Sequence, residues 1–123
     1  MSGVPTRQHP PERSFWNKAV LSLLVLHAIY AFERAHGYKV VSYLRDELAL
    51  DVRGGTVYPL LNALETQGLL ASIWLPGSGG PGRKEYYVTP DGKMELDRSC
   101  KTWFLFSETV SEALIKTAKE GGQ

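Results

Sequence analysis

The chain has 123 residues, 43% hydrophobic and 22% charged, with a formal net charge of +1. That is enough for one domain and an appended element, and there is no charge excess to announce a nucleic-acid or membrane-surface partner. The single cysteine, Cys100, excludes an internal disulfide and fits a reducing cytoplasm, where the protein is expected to reside.

Residues 1–13 include Pro5, Pro10 and Pro11 and read as a flexible N-terminal arm without the apolar core of a signal peptide. Ser14 is suited to cap a first helix over Phe15 to about Ala35, with Gly37 as the left-handed residue past its end and His36 closing it through the helix dipole. This helix is apolar nearly all round. Ala19, Leu23, Leu26 and Tyr30 form one stripe, and Val20, Leu24, Ala28 and Phe32 another. Ser22, His27 and the following Glu33-Arg34 keep the run short of the ~20 residues a membrane span needs. A helix without a polar face must be covered from two sides, and a small domain has too few elements to do so, which points to a second subunit.

A second helix is expected over Tyr38 to Leu48, with Val40, Val41, Leu44 and Leu48 inward. After a turn, a third helix over about 55–67 places Val57, Leu61 and Leu64 inward, with Pro59 in its first turn. Gly68 stops it, with Leu69 set to pack on Leu64. Leu69 to Leu75 reads as a strand with Leu69, Ala71, Ile73 and Leu75 on one face and Trp74 on the other. Residues 76–82, Pro-Gly-Ser-Gly-Gly-Pro-Gly, form an irregular loop, and Lys84 to Val88 the return strand. Thr89-Pro90-Asp91 supplies the N-cap, first-turn proline and first-turn acid of a long last helix reaching about Lys119, before a frayed tail at 121–123. Along it Leu96, Cys100, Trp103, Ser107, Val110 and Leu114 recur at alternating four and three spacing, a near-heptad seam for a partner helix.

The fold expected is therefore mainly α with a small two-stranded β wing, in the order α-α-α-β-β-α. A winged helix-turn-helix would occupy residues 14–89 and a dimerisation helix residues 90–120. His36-Gly37-Tyr38, Gly55-Thr56-Val57-Tyr58-Pro59-Leu60-Leu61 with Leu64-Glu65 and Gly68-Leu69, and Gly82 to Gly92 with its Tyr86-Tyr87 pair together resemble the PadR family of bacterial transcriptional regulators, short type with a single C-terminal helix. The resemblance covers about Leu21 to Trp103. It implies a winged-helix homodimer that represses promoters and releases DNA when a small molecule binds. Relatives commonly carry Arg or Lys in the middle of the third helix, where this chain has Asn62 and Ala63.

Double-stranded DNA would be read by the outward face of the third helix. Thr56 and Tyr58 stand there, the tyrosine hydroxyl donating to a phosphate, and Asn62 is suited to a bidentate contact with adenine. Phosphate-neutralising cations would be Lys39 and Arg45 on the second helix, Arg53 before the third, and Arg83 and Lys84 at the wing. Phe15, Trp16, Trp103 and Phe106 are candidates for the dimer interface or for a pocket taking a small aromatic effector. The glycine loop lacks the Gly-Lys-Ser/Thr ending of a phosphate-binding loop. His9, His27 and His36 show no metal-ligand spacing and no nucleophile-base pair is suggested, so neither cofactor nor enzymatic chemistry is expected. A protein-interaction module that has given up sequence-specific DNA binding is the alternative, favoured by Asn62 and Ala63.

Overall fold

A computed structural model describes residues 11–120, with burial defined from Val20 onward. Most of the expected arm (residues 1–10) and the expected tail (121–123) lie outside the described residues. Helix α1 spans Pro11–Phe32, strand β1 Ala35–His36, helix α2 Gly37–Ser42, helix α3 Gly54–Thr66, strand β2 Leu70–Leu75, strand β3 Arg83–Val88 and helix α4 Pro90–Glu120. A π-helical segment, Tyr43–Glu47, continues α2.

Helix α1 begins four residues earlier than Ser14 capping implies, because Pro11 takes the first helical position, where its missing N–H has no intrahelical partner. It also ends earlier. Glu33, not Gly37, adopts the left-handed conformation (φ 69°) that breaks it, and the freed Ala35 and His36 pair with Tyr86 and Glu85 as a third strand. His36 therefore does not close α1. Its Nδ1 accepts the Lys39 backbone N–H at 3.0 Å and caps α2.

The second helix is not one regular element to Leu48. Its winding loosens after Ser42, and the Leu48 N–H reaches back to the Tyr43 carbonyl at 3.3 Å. Ala49 then takes φ 57° and turns the chain toward α3. That helix starts at Gly54, one residue before the expected 55, so the proline lies in its second turn. The carbonyl left without its amide belongs to exposed Gly55, where water can serve it. At the far end Gly68 (φ 80°) donates to the Glu65 carbonyl and Leu69 to the Leu64 carbonyl, both at 3.0 Å. This is the double-bonded glycine stop that the sequence implies.

The sheet is antiparallel in the order β1-β3-β2. Its core face carries Leu70, Ser72 and Trp74 opposite Val88, Tyr86 and Lys84. Leu70 and Tyr86 are buried there, so the face shared by Ala71, Ile73 and Leu75 is the outer one, and Trp74 stands on the core side. Slipping the phase of a strand by one residue exchanges its faces, and Leu69-Leu70 offers an apolar residue to either choice. The core itself is Val25 and Ile29 of α1, Val40 of α2 with Leu44, Val57 and Leu61 of α3, and Leu70.

Helix α4 is held at its base. Thr89 Oγ1 donates to the Gly68 carbonyl at 2.6 Å and accepts the Gly92 N–H at 3.0 Å. Gly92 lies so close to the strand start that a Cβ there would stand 2.0 Å from the Leu69 carbonyl oxygen. Beyond Cys100 the helix leaves the domain, and from Lys101 to Glu120 every side chain but Ser107 is exposed.

Candidate nucleic-acid interface and dimer surface

Val57, Leu61 and Leu64 fasten α3 into the core, which leaves Thr56, Tyr58, Pro59, Asn62 and Ala63 on its open side, all exposed. The periodicity read from the sequence thus places each residue on the expected face. Tyr58 is gripped as well as exposed. Its ring lies between two glycines, so close that a Cβ on Gly37 would fall 2.2 Å from Cε1 and one on Gly54 2.8 Å from Cε2. The ring braces the start of α2 against the start of α3 while 44% of the residue faces solvent. Bracing and a hydroxyl contact to phosphate are compatible, since the grip acts on the ring edges.

Arg53 is the residue before α3, in extended conformation, and its carbonyl accepts the N–H groups of Thr56 and Val57 at 3.0 Å each. With Arg45 it borders an open concavity of about 420 Å³ that also includes Asp46, Asp51 and the Leu50-Val52 wall. The two arginines flank the turn into α3, and both are exposed. Lys39 is exposed on α2, with its ammonium 4.3 Å from the centre of the Phe32 ring.

The wing cations are less independent than their sequence suggests. Lys84 Nζ donates to Glu65 Oε1 at 3.0 Å, and Ser72 Oγ donates to the other oxygen of the same carboxylate at 2.6 Å. Hydrogen bonds from Ser72 and then Lys84 hold the Glu65 carboxyl below its usual 4.5 against the opposing effect of burial. The same bond raises the Lys84 ammonium above its usual value. Lys84 thereby ties the wing to the C-terminal end of α3.

On the outer face of the sheet, Glu85 is nearly buried between two arginines. Arg34 Nε donates to one carboxylate oxygen at 2.9 Å and Arg83 Nε to the other at 3.0 Å. Arg83 holds Glu85 through two guanidinium nitrogens, Nε and Nη2, both 3.0 Å from Oε2, while 63% of its side chain stays exposed. Sequence reasoning missed both acids. Glu85, the acid that follows Arg83-Lys84 and precedes the Tyr86-Tyr87 pair, was the available signal.

Along α4, Trp103 is 40% exposed and Phe106 60%, and Leu114 and Ile115 are similarly open. Trp103 and Phe106 join Val20 and Leu23 of α1 around an open groove of about 480 Å³, whose other wall is polar: Glu95, Arg98, Ser99 and Thr102. The structure so brings two of the four expected interface or effector residues together. The side chains of Phe15 and Trp16 lie outside the described residues. Among the described residues no cluster of three or more His, Cys, Asp or Glu side chains is placed to hold a metal ion, and no helix is long and apolar enough to cross a membrane.

Comparison with known proteins agrees with this geometry. The profile of the transcriptional regulator PadR-like family matches residues 25–98. A PadR family transcriptional regulator from Eggerthella lenta DSM 2243 is 34% identical, with 81% of this chain and 86% of that one covered at a TM-score of 0.74. A PadR-like transcriptional regulator from Bacillus cereus strain ATCC 14579 is 31% identical, with 82% and 97% covered at a TM-score of 0.72. A Streptococcus transcriptional regulator is also 31% identical, with 79% and 94% covered at a TM-score of 0.69. No curated protein matches the chain. From the helix-turn-helix with its wing, the long α4 and these matches together, the chain belongs to the PadR-like family of transcriptional regulators.

Proposed function

We propose that the protein is a homodimeric repressor that lays the two copies of α3 in successive major grooves of a palindromic operator. The observation that carries this reading is α3 itself. It is locked into the core by Val57, Leu61 and Leu64, with an open face of Thr56, Tyr58 and Asn62 beside the exposed cations Lys39, Arg45 and Arg53. Thr56, Tyr58 and the cations fix position on phosphates, and Asn62 reads adenine by donating to N7 while accepting from N6. Arg83 reaches the backbone beside the wing, and Lys84 acts through Glu65 as the wing's anchor.

The projecting half of α4 supports the dimer. A helix that exposes Trp103, Phe104, Leu105, Phe106, Val110, Leu114 and Ile115 in one protomer finds cover on a second, against the over-apolar α1. The groove beside Trp103 and Phe106 suits a small planar aromatic molecule, and its filling would shift the angle between α4 and the domain and so the spacing of the two α3 helices.

A gel shift over a range of salt concentrations, on duplex from around the protein's own gene, tests the reading. Arg83→Ala removes two cations per dimer and flattens the slope of log affinity against log salt by about 2. Asn62→Ala relaxes sequence choice with little change in slope. Equal weakening on all sequences by Asn62→Ala removes its base-reading role. The second reading, an interaction module without DNA binding, is favoured by Asn62 and Ala63 in place of cations and by the engagement of Lys84; it predicts no salt-dependent shift on any duplex.

A further inference from the structure

We propose that Trp74 is a DNA contact that enters the minor groove alongside the wing, a proposal that rests on the DNA-binding reading above. Trp74 is 69% exposed although it stands on the core face of the hairpin, directly opposite Lys84. Ser72, two residues earlier on that face, and Lys84 both reach Glu65 at the end of α3. The indole therefore extends from the side of the wing that faces the recognition helix, one strand residue short of the tip. Exposed Arg83 begins the neighbouring strand.

The tip fits the same partner. A Cβ on Gly77 would meet the Pro81 carbonyl oxygen at 2.2 Å, and one on Gly82 the Leu75 carbonyl oxygen at 2.3 Å. The loop closes on its own backbone at these two positions, where no side chain fits, which keeps the tip compact. A compact hairpin edge can lie along a minor groove about 6 Å wide. Its floor in A·T pairs presents only acceptors, the N3 of adenine and the O2 of thymine. Indole is a flat apolar group with one N–H donor and no acceptor, so it packs on the sugar walls or wedges at a base step while donating to that floor. Two consequences follow for binding: a preference for A·T beneath the wing, and a contribution to affinity that carries no charge.

Full-length wild type, Trp74→Phe and Trp74→Ala are titrated with duplex from around the protein's own gene, following intrinsic fluorescence and, separately, gel-shift affinity at several salt concentrations. Duplex changes the wild-type emission, and Trp74→Phe, which keeps Trp16 and Trp103, loses most of that change. Trp74→Ala weakens binding by about tenfold with an unaltered salt slope, and replacing A·T by G·C under the wing weakens wild type more than Trp74→Ala. The variants melt at the wild-type temperature, because the residue is exposed. Tight duplex binding that Trp74→Ala leaves unchanged, with no Trp74 contribution to the fluorescence change, overturns the proposal and leaves the DNA reading standing; the indole then faces a protein. A lowered melting temperature in Trp74→Ala also overturns it, by giving the residue a packing role. Failure of wild type to shift any duplex overturns both.

Discussion

Replacing Gly37 by alanine tests the seat of Tyr58. The added methyl would stand 2.2 Å from Cε1 and 2.9 Å from Cδ1 of the ring, well inside contact distance. The ring must swing away or α2 must retreat. Because Tyr58 is 44% exposed, it has solvent to move into, so the cost falls within the ordinary range for overpacking and not beyond it. A value of about 2 kcal/mol is expected, lowering Tm by about 8 °C at roughly 4 °C per kcal/mol for a chain of this size. The assay is thermal unfolding by circular dichroism on wild type, Gly37→Ala, Tyr58→Ala and the double variant. With the ring gone, the three closest contacts of alanine at 37 are removed and it gains helix propensity, up to about 1 kcal/mol. Gly37→Ala should then become neutral or stabilising, and the cycle should return a coupling of about 2 to 3 kcal/mol. An equal penalty in both backgrounds would refute the argument, since the clash would lie elsewhere. Tyr58→Phe, which keeps the ring and removes only the hydroxyl, should melt like wild type and lose affinity for DNA.

Three other outcomes are expected. Glu65 has a lowered carboxyl pKa, so its contribution is present above the usual 4.5 and is lost as pH falls through the lower folded value. Glu65→Gln should therefore cost about 1 kcal/mol at pH 7 and flatten the acid limb of Tm against pH below 4.5; an unchanged limb would remove the Ser72–Glu65–Lys84 tie from the stability of the wing. Glu33→Gly, at an exposed position with φ 69°, should stabilise by up to about 1 kcal/mol, the relieved left-handed strain less the added chain entropy, read as a rise in the chemical denaturation midpoint. Leu114→Glu places a charge on the exposed run of α4 outside the domain core and should weaken self-association at least about tenfold in sedimentation equilibrium while leaving the secondary structure intact.

The parts of the fold legible in the sequence were those set by local chemistry. The Gly68 stop, the Thr89 cap and the inward stripe of α3 each depend on residues within one or two turns of one another, and each stands where it was expected. What escaped was decided by distant partners. Ala35 and His36 leave the helix because β3 offers them a ladder, a pairing across some fifty residues that periodicity cannot register. The phase of β2 was set by Leu70 pairing beside Tyr86 on the core face, while Leu69, before the strand, packs partly against the same core. The candidate site shows the same division. The open face of α3 could be read off the helical repeat, but the role of Lys84 could not, because nothing local to it predicts that Glu65 will stand 3.0 Å away.

That engagement changes where the binding energy should come from. Of the five cations proposed from the sequence, Lys84 is tied to Glu65 and Arg83 shares Glu85 with Arg34. The wing therefore carries more acid than its Arg-Lys pair suggests, and the exposed positive charge shifts to Lys39, Arg45 and Arg53 around the helix turn. If those three and Arg83 meet phosphates in each protomer, a dimer neutralises about eight, for a salt slope near −7. With few cations on the reading face itself, discrimination between sequences would rest on uncharged contacts: Asn62 in the major groove, the braced Tyr58 at the backbone and the exposed indole of Trp74 on the wing. Such a protein would lose affinity steeply with salt while keeping its sequence preference nearly constant, because the charges position it and the uncharged groups select.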